Sequence, residues 1–223
     1  MRVALLSDIH ANLVALEAVL AEVGTAEEIW VMGDTVGYGP DPGDVLAALA
    51  DHSARLVAGN HDRAVATGAG LELFNPAARA AAMLHREWLS GEERDALAAL
   101  PLILTAGSEY TVCHGSPRDP LWEYVFDQRT AVAAMRSATT THCCNGHTHV
   151  PAVIQLPGGG RMINPGSVGQ PRDGDPRAAY AWLDTTTTAV ELRRVAYDIT
   201  TTQERIRRRG LPEVLADRLT HGF

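Results

Sequence analysis

Apolar residues in this chain fall into short runs that stop abruptly at Gly, Asp, Asn or His. Val3 to Ser7 is the first run; a polar elbow follows, then Leu13, Leu16, Val19 and Leu20 at helical spacing, closed by Gly24. This predicts a strand, a loop and a helix. A second run from Ile29 to Met32 ends at Gly33-Asp34 and a third from Leu56 to Ala58 ends at Gly59-Asn60, with a helix expected from Asp44 to Leu49 between them. Such alternation predicts parallel strands joined by right-handed crossovers.

Pro76 to Leu100 is rich in Ala, Leu, Glu and Arg, and Ser90 followed by Glu93 reads as a capping box that restarts a helix, so an all-helical insert is expected over 76–100. From Leu102 the pattern changes to short strands at Leu102 to Thr105, Tyr110 to His114, His142 to Asn145, Val153 to Leu156, Arg161 to Asn164, Ala179 to Leu183 and Ala189 to Val195. Gly158-Gly159-Gly160 supplies a hairpin turn. Two mixed sheets packed face to face with helices outside, a four-layer α/β sandwich, would use all of these elements. Residues 200–223 read as a helical tail, whose Arg205, Arg207, Arg208 and Arg209 are expected on a solvated face.

Composition narrows this picture. At 223 residues and 46% apolar content, one domain spanning 1–223 can bury a substantial core. The formal charge of -8 argues against an extended nucleic-acid surface, although bound cations would let a small phosphorylated substrate approach. Cys113, Cys143 and Cys144 are odd in number and read as reduced thiols. The opening MRVALLSDIH reads as a strand rather than a leader, and no stretch approaches the roughly 18 apolar residues of a membrane span. A cytoplasmic location is therefore expected; homo-oligomerisation is left open.

The candidate chemistry lies in where the polar residues fall. Asp8-Ile9-His10, Gly33-Asp34, Gly59-Asn60-His61-Asp62, Cys113-His114-Gly115 and Gly146-His147-Thr148-His149 each follow a predicted strand. Strand ends of an α/β sheet open into one crevice, so five segments would deliver Asp, His and Asn side chains to one place, as a metal site requires and an apolar core avoids. Mixed oxygen and nitrogen donors suit Mn, Fe, Co, Ni or Zn better than Ca or Mg. Seven candidate ligands are too many for one ion and about right for two. Taken singly, Asp8 could cap a helix and Asn60 could form a turn; His52, His85, His142 and His221 are expected to have no chemical role.

In this order, the five motifs resemble the calcineurin-like metallophosphoesterase superfamily, and the runs DIHANLVALEAVL (Asp8 to Leu20), GDTVGYGPDP (Gly33 to Pro42) and NPGSVGQPRD (Asn164 to Asp173) are similar to its compact bacterial branch. The resemblance implies one metal held by Asp8, His10 and His149, another by Asn60, His114 and His147, and Asp34 bridging them. Manganese is favoured. It also implies hydrolysis of a phosphate ester by in-line attack of a hydroxide shared between the metals, with His61 protonating or stabilising the leaving oxygen.

Where the protein Ser/Thr phosphatase branch has an acid that orients the catalytic histidine, this chain has Gly37, leaving the partner of His61 open. That departure favours a phosphodiester or nucleotide over a phosphoprotein; a phosphomonoester, a dinucleoside polyphosphate and a non-enzymatic scaffold role are the alternatives. Tyr38, Asn164, Ser167 and Arg172 are expected to line the substrate pocket, with Arg118 and Tyr124 as weaker candidates.

Overall fold

Ten strands divide equally between two sheets. The computed structural model describes residues 1–223, and its first half runs β1 (Arg2–Leu6), α1 (Leu13–Val23), β2 (Glu28–Val31), α2 (Pro42–Asp51), β3 (Arg55–Leu56), α3 (Asn60–Thr67), α4 (Pro76–Trp88) and α5 (Gly91–Ala99). The second half runs β4 (Ile103–Ala106), β5 (Tyr110–Cys113), α6 (Gln128–Met135), β6 (His142–Cys144), β7 (Ala152–Gln155), β8 (Arg161–Asn164), β9 (Ala178–Asp184), β10 (Val190–Val195), α7 (Ile199–Arg208) and α8 (Glu213–Asp217).

The first sheet has the order β10-β9-β1-β2-β3 and the second β4-β5-β6-β8-β7. Pairing is parallel from β1 through β3 and from β5 through β6 to β8, and antiparallel at β1–β9, β9–β10, β4–β5 and β7–β8. Both sheets are therefore mixed, as expected.

Side chains alternate across a strand, so β1 sends Val3 and Leu5 to one face and Ala4 and Leu6 to the other. Val3 and Leu5 meet Trp30, Met32, Val112 and Ile163 between the sheets; Ala4 and Leu6 meet Leu16, Val19, Val45 and Leu49 beneath α1 and α2. On the far side, Cys113, Cys143 and Met162 pack against Ala131 of α6. The layers are helix, sheet, sheet, helix. Truncating Leu5, which is fully buried, should cost about 2–5 kcal/mol.

Local signals set the helix ends. Asn12 accepts from the Ala15 amide to start α1, Asn75 precedes Pro76 and caps α4, and Ser90 and Glu93 form the expected capping box of α5. Two helices escape the sequence pattern. The buried face of α3 begins with Asn60, His61 and Asp62, and α6 buries only Ala131 and Ala134, so neither shows a strong apolar period.

The tail is helical and divides into α7 and α8. Gly210, at φ +72°, breaks it between α7 and α8. Its arginine cluster is not simply solvated: Arg205 pairs with buried Asp41 at 3.0 Å, Arg207 pairs with Glu213 and Asp217, and Arg209 lies 4.9 Å over Trp88. Ile206, Leu211, Leu215 and Leu219 pack with Ala78 and Ala81 of α4 around Tyr38, which brings the tail beside the strand-end loops.

Candidate metal centre

The loops after β1, β2, β3, β5 and β6 converge, and they do so in strained backbone. Asp8, His10, Asp34, His147 and His149 all have positive φ, between 49° and 68°. Left-handed backbone at a residue with a Cβ costs about 1–2 kcal/mol, and clusters of it mark sites where geometry is held for function. Gly146 and Gly59 allow the convergence: a Cβ on Gly146 would lie 1.9 Å from Ser7 Oγ, and one on Gly59 would lie 2.0 Å from Asp34 Oδ1.

Three buried groups could each hold an ion: Asp8, His10 and His149; His10, Asp34 and His61; and Asp34, His114 and His147. His10 Nε2 and His149 Nε2 are 3.1 Å apart, while His149 Nε2 lies 3.3 Å from Asp8 Oδ1. In the neighbouring cluster His114 Nε2 faces Asn60 Oδ1 at 3.0 Å and His147 Nδ1 at 2.9 Å. Asp34 Oδ2 stands between the two, 3.7 Å from His10 Nε2 and 3.3 Å from His114 Nε2.

Outer partners fix which nitrogen faces inward. His10 Nδ1 donates to the Val36 carbonyl at 3.0 Å, His114 Nδ1 to Met32 at 2.8 Å and His149 Nδ1 to Gln170 at 2.5 Å. Each Nε2 is thereby left as a lone pair aimed at other acceptors, the geometry of a metal-ligating imidazole. Buried Asp8 Oδ1 has no hydrogen-bond partner at all. Lone pairs and a carboxylate oxygen turned on one another have no favourable arrangement without a cation, so the residues fit a divalent metal centre.

Where no cation stands among these groups, protons take its place, on His114 above all. Burial lifts Asp8 to about 7 against the pull of His114. Burial also disfavours a charged His114, yet Asp34 outweighs it and raises that imidazole to about 9. Burial would raise Asp34, but His114 and His61 hold it well below the usual carboxylate range. Burial brings His61 down to about 4 and His147 to about 3.

A protein-family model described as the calcineurin-like phosphoesterase superfamily domain matches residues 1–188. The chain belongs to that superfamily. A metallophosphoesterase structure from Sphaerobacter thermophilus superposes with a TM-score of 0.89 at 40% identity, covering 100% of both chains. A hypothetical protein from Pyrococcus horikoshii OT3 superposes at 0.90 with 26% identity, covering 100% of this chain and 98% of that one. An uncharacterized protein of Methanocaldococcus jannaschii is 35% identical over 99% of this chain and 98% of its own. The superfamily fold and the buried His/Asp clusters of a metal site are thus both present in this phosphoesterase-superfamily chain.

Asp62, adjacent to His61, does not orient it. Its Oδ1 accepts from the Thr35 amide, the Thr35 hydroxyl and the Val36 amide, and its Oδ2 accepts from Gly59, so it ties the Asp34 loop to the start of α3. The His61 amide donates to Asp34 Oδ1 at 2.8 Å, while the ring nitrogen Nδ1 has no partner. The ring is gripped instead by Phe74, stacked at 4.3 Å, and Tyr38 at 4.5 Å.

A cleft opens over the centre, walled by Tyr38, His61, Phe74, Trp122, Tyr124 and Arg172 among others. Tyr38, Tyr124 and Arg172 are among its lining residues. Asn164 and Ser167 are not, and the expectation is corrected: both are buried behind the wall. Asn164 Nδ2 donates to Gly146 and Thr148, and Ser167 Oγ donates to the Asp8 carbonyl, so they brace the ligand loops. Arg118 turns away to pair with Glu123.

Phe74 and Trp122 are wall residues that the motifs do not reveal, because neither belongs to a ligand motif and a lone aromatic residue in a loop carries no signal of which cavity it faces. His85, set aside as a lone histidine, brackets the Tyr38 turn from α4. Its Nδ1 accepts from the Gly37 amide at 3.1 Å and its Nε2 donates to the Gly39 carbonyl at 2.8 Å. The only sequence signal was a histidine in an otherwise alanine-rich helix.

Proposed function

We propose that this superfamily member is a dinuclear metal-dependent phosphoesterase acting on a phosphodiester or nucleotide. The observation that carries the reading is Asp34 Oδ2, one carboxylate oxygen that faces both nitrogen clusters, at 3.7 and 3.3 Å. Asp8, His10 and His149 would hold one ion, Asn60, His114 and His147 the other, and Asp34 both. When bound, such ions supply Lewis acidity toward phosphate oxygens and acidify water near neutral pH; manganese is favoured among Mn, Fe, Co, Ni and Zn.

The chain's own residues do the rest. Asp34 Oδ1, bound by the His61 amide, keeps its partner oxygen turned to the two clusters. His61 follows Asn60 and lines the cleft, where it donates to the leaving oxygen. Arg172 offers a guanidinium to a phosphate oxygen. Tyr124, stacked on His147 at 3.9 Å, and Trp122 present aromatic surface to a planar leaving group such as a nucleobase, a contact worth roughly 1–3 kcal/mol per base. A scaffold would need none of these strained, inward-turned donors.

The test is hydrolysis of bis(p-nitrophenyl) phosphate beside p-nitrophenyl phosphate, on chelator-treated protein given back one metal at a time. Metal-dependent cleavage that falls in His61→Ala supports the reading, and faster cleavage of the diester supports the preference. Tight binding of two metals with no cleavage of any phosphate ester would return the scaffold role.

A further inference from the structure

β10 is the longest of the strands that end a sheet, with six residues against four in β4, four in β7 and two in β3. Its outer edge is open. The Asp184 amide donates to the Ala189 carbonyl at 2.9 Å, and from that bonded pair the register runs on through Glu191 with Trp182, Arg193 with Tyr180 and Val195 with Ala178. Bonded and unbonded pairs alternate along an antiparallel ladder, so these residues turn their peptide groups inward to β9. On the other side of β9 the Thr185 amide donates to the Met1 carbonyl, which leaves the peptide groups of Asp184, Trp182 and Tyr180 for β10 in the same phase. The amides and carbonyls of Val190, Leu192 and Arg194 therefore face outward, where no strand of the chain meets them.

An open edge of this kind is a template for another strand. Leu192 is 41% exposed there, on the same face as Val190. Exposed Glu191 and Arg193 lie on the opposite face as an ion pair, while Arg194 is already compensated by Asp173 and by the carbonyls of Asp175 and Arg177.

A second copy of the chain fits this edge in a register that charge selects. With a two-fold axis at Leu192, that residue exchanges both main-chain bonds with Leu192 of the second copy, and Val190 does so with Arg194 of the second copy. Glu191 then stands directly opposite Arg193 of the second copy, twice over by symmetry, in the unbonded pairs whose Cα atoms approach to about 4.5 Å. Moving the axis to Glu191 sets two carboxylates against each other, and moving it to Arg193 sets two guanidiniums together. Neither β4 nor β7 carries a charged residue that could select a register in this way.

We propose that the chain forms a two-fold homodimer through β10, with Glu191 and Arg193 paired across the axis at Leu192. β10 holds none of the clustered donors and none of the cleft wall, so the dimer stands apart from the phosphoesterase reading.

The test is sedimentation velocity of the full chain over a micromolar concentration series, with Glu191→Arg, Arg193→Glu and the double exchange Glu191→Arg/Arg193→Glu beside the wild type. The wild type should dimerise. Each single variant sets like charges opposite each other twice and should raise the dimer Kd about tenfold or more, whereas the double exchange should restore it. An equimolar mixture of the two single variants should form a heterodimer as tight as the wild type, because each then supplies the charge that the other lacks. Leu192→Pro gives a variant independent of charge: it removes an amide that faces outward, a place where an edge strand tolerates proline, and it should be monomeric. Should the proline variant fail to fold, the charge exchanges at exposed positions decide. A wild type that stays monomeric up to about 100 µM overturns the interface, as does a dimer that the single variants leave unchanged or that their mixture does not restore.

Discussion

Gly37 and His61 are in direct contact: a Cβ on Gly37, whose φ is +92°, would lie 2.3 Å from His61 Nδ1. The position where the protein phosphatase branch keeps an orienting acid is therefore closed to any side chain. His61 is seated by packing between Phe74 and Tyr38 rather than by a hydrogen bond. Orientation then depends on the shape of the Gly37-Tyr38-Gly39 turn, which His85 brackets from α4.

Gly37→Ala should push the His61 ring off its seat and strain the turn. The expected result is an activity loss of about 10–100-fold on diesters with poor leaving groups, a smaller loss on p-nitrophenyl esters, and unchanged metal content. Rates measured across a series of leaving groups check this. Equal losses throughout the series would remove His61 from leaving-group chemistry.

Asp34→Asn should weaken both metal positions, because an amide brings one neutral oxygen where a charged oxygen faces both clusters. Elemental analysis after dialysis should find well under two ions per chain, and activity should drop by about 100-fold or more. By contrast His61→Ala should retain both ions. A stoichiometry of two in Asp34→Asn with full activity would remove Asp34 from the bridging role.

Metal removal should lower thermal stability, since buried Asp8 and Asp34 then lose the cations that balance them. At a free ion concentration 100 times Kd, binding adds about 2.7 kcal/mol, and for a chain of this size that corresponds to roughly 5–11 °C in Tm. Melting curves with and without chelator measure it. No shift, with binding shown independently, would mean that the unfolded chain binds metal equally well.

Acid should unfold the protein partly through His85. Burial lowers this imidazole to about 4 from its ordinary 6.5, opposed by its bond to the Gly39 carbonyl. The fold therefore favours the neutral ring: its contribution is fully present above pH 6.5, is lost at up to about 1.4 kcal/mol per pH unit as pH falls toward 4, and does not change further below that. Urea titrations of the wild type and His85→Gln between pH 7 and 4 should show a shallower loss in the variant. Parallel curves would show that His85 takes up its proton equally in both states.

The sequence by itself determined the layers of the fold and the order of the loops that meet. Val3 to Leu6 and Ile29 to Val31 announce buried strands by composition alone, and each run ends at a motif whose Asp, His or Asn has nowhere apolar to go. Tertiary structure alone decided which way those loops turn. Positive φ at Asp8, His10, Asp34, His147 and His149 aims side chains in a manner no spacing rule conveys. The helix α3 was hidden because its buried face is polar, and Asn164 and Ser167 fall behind the wall because loop polarity does not reveal which side faces solvent. Phe74 and Trp122 form one stretch of the cleft wall only because elements distant in sequence pack together. Composition and period are local quantities, whereas a pocket wall depends on the direction of each side chain after the chain has closed on itself.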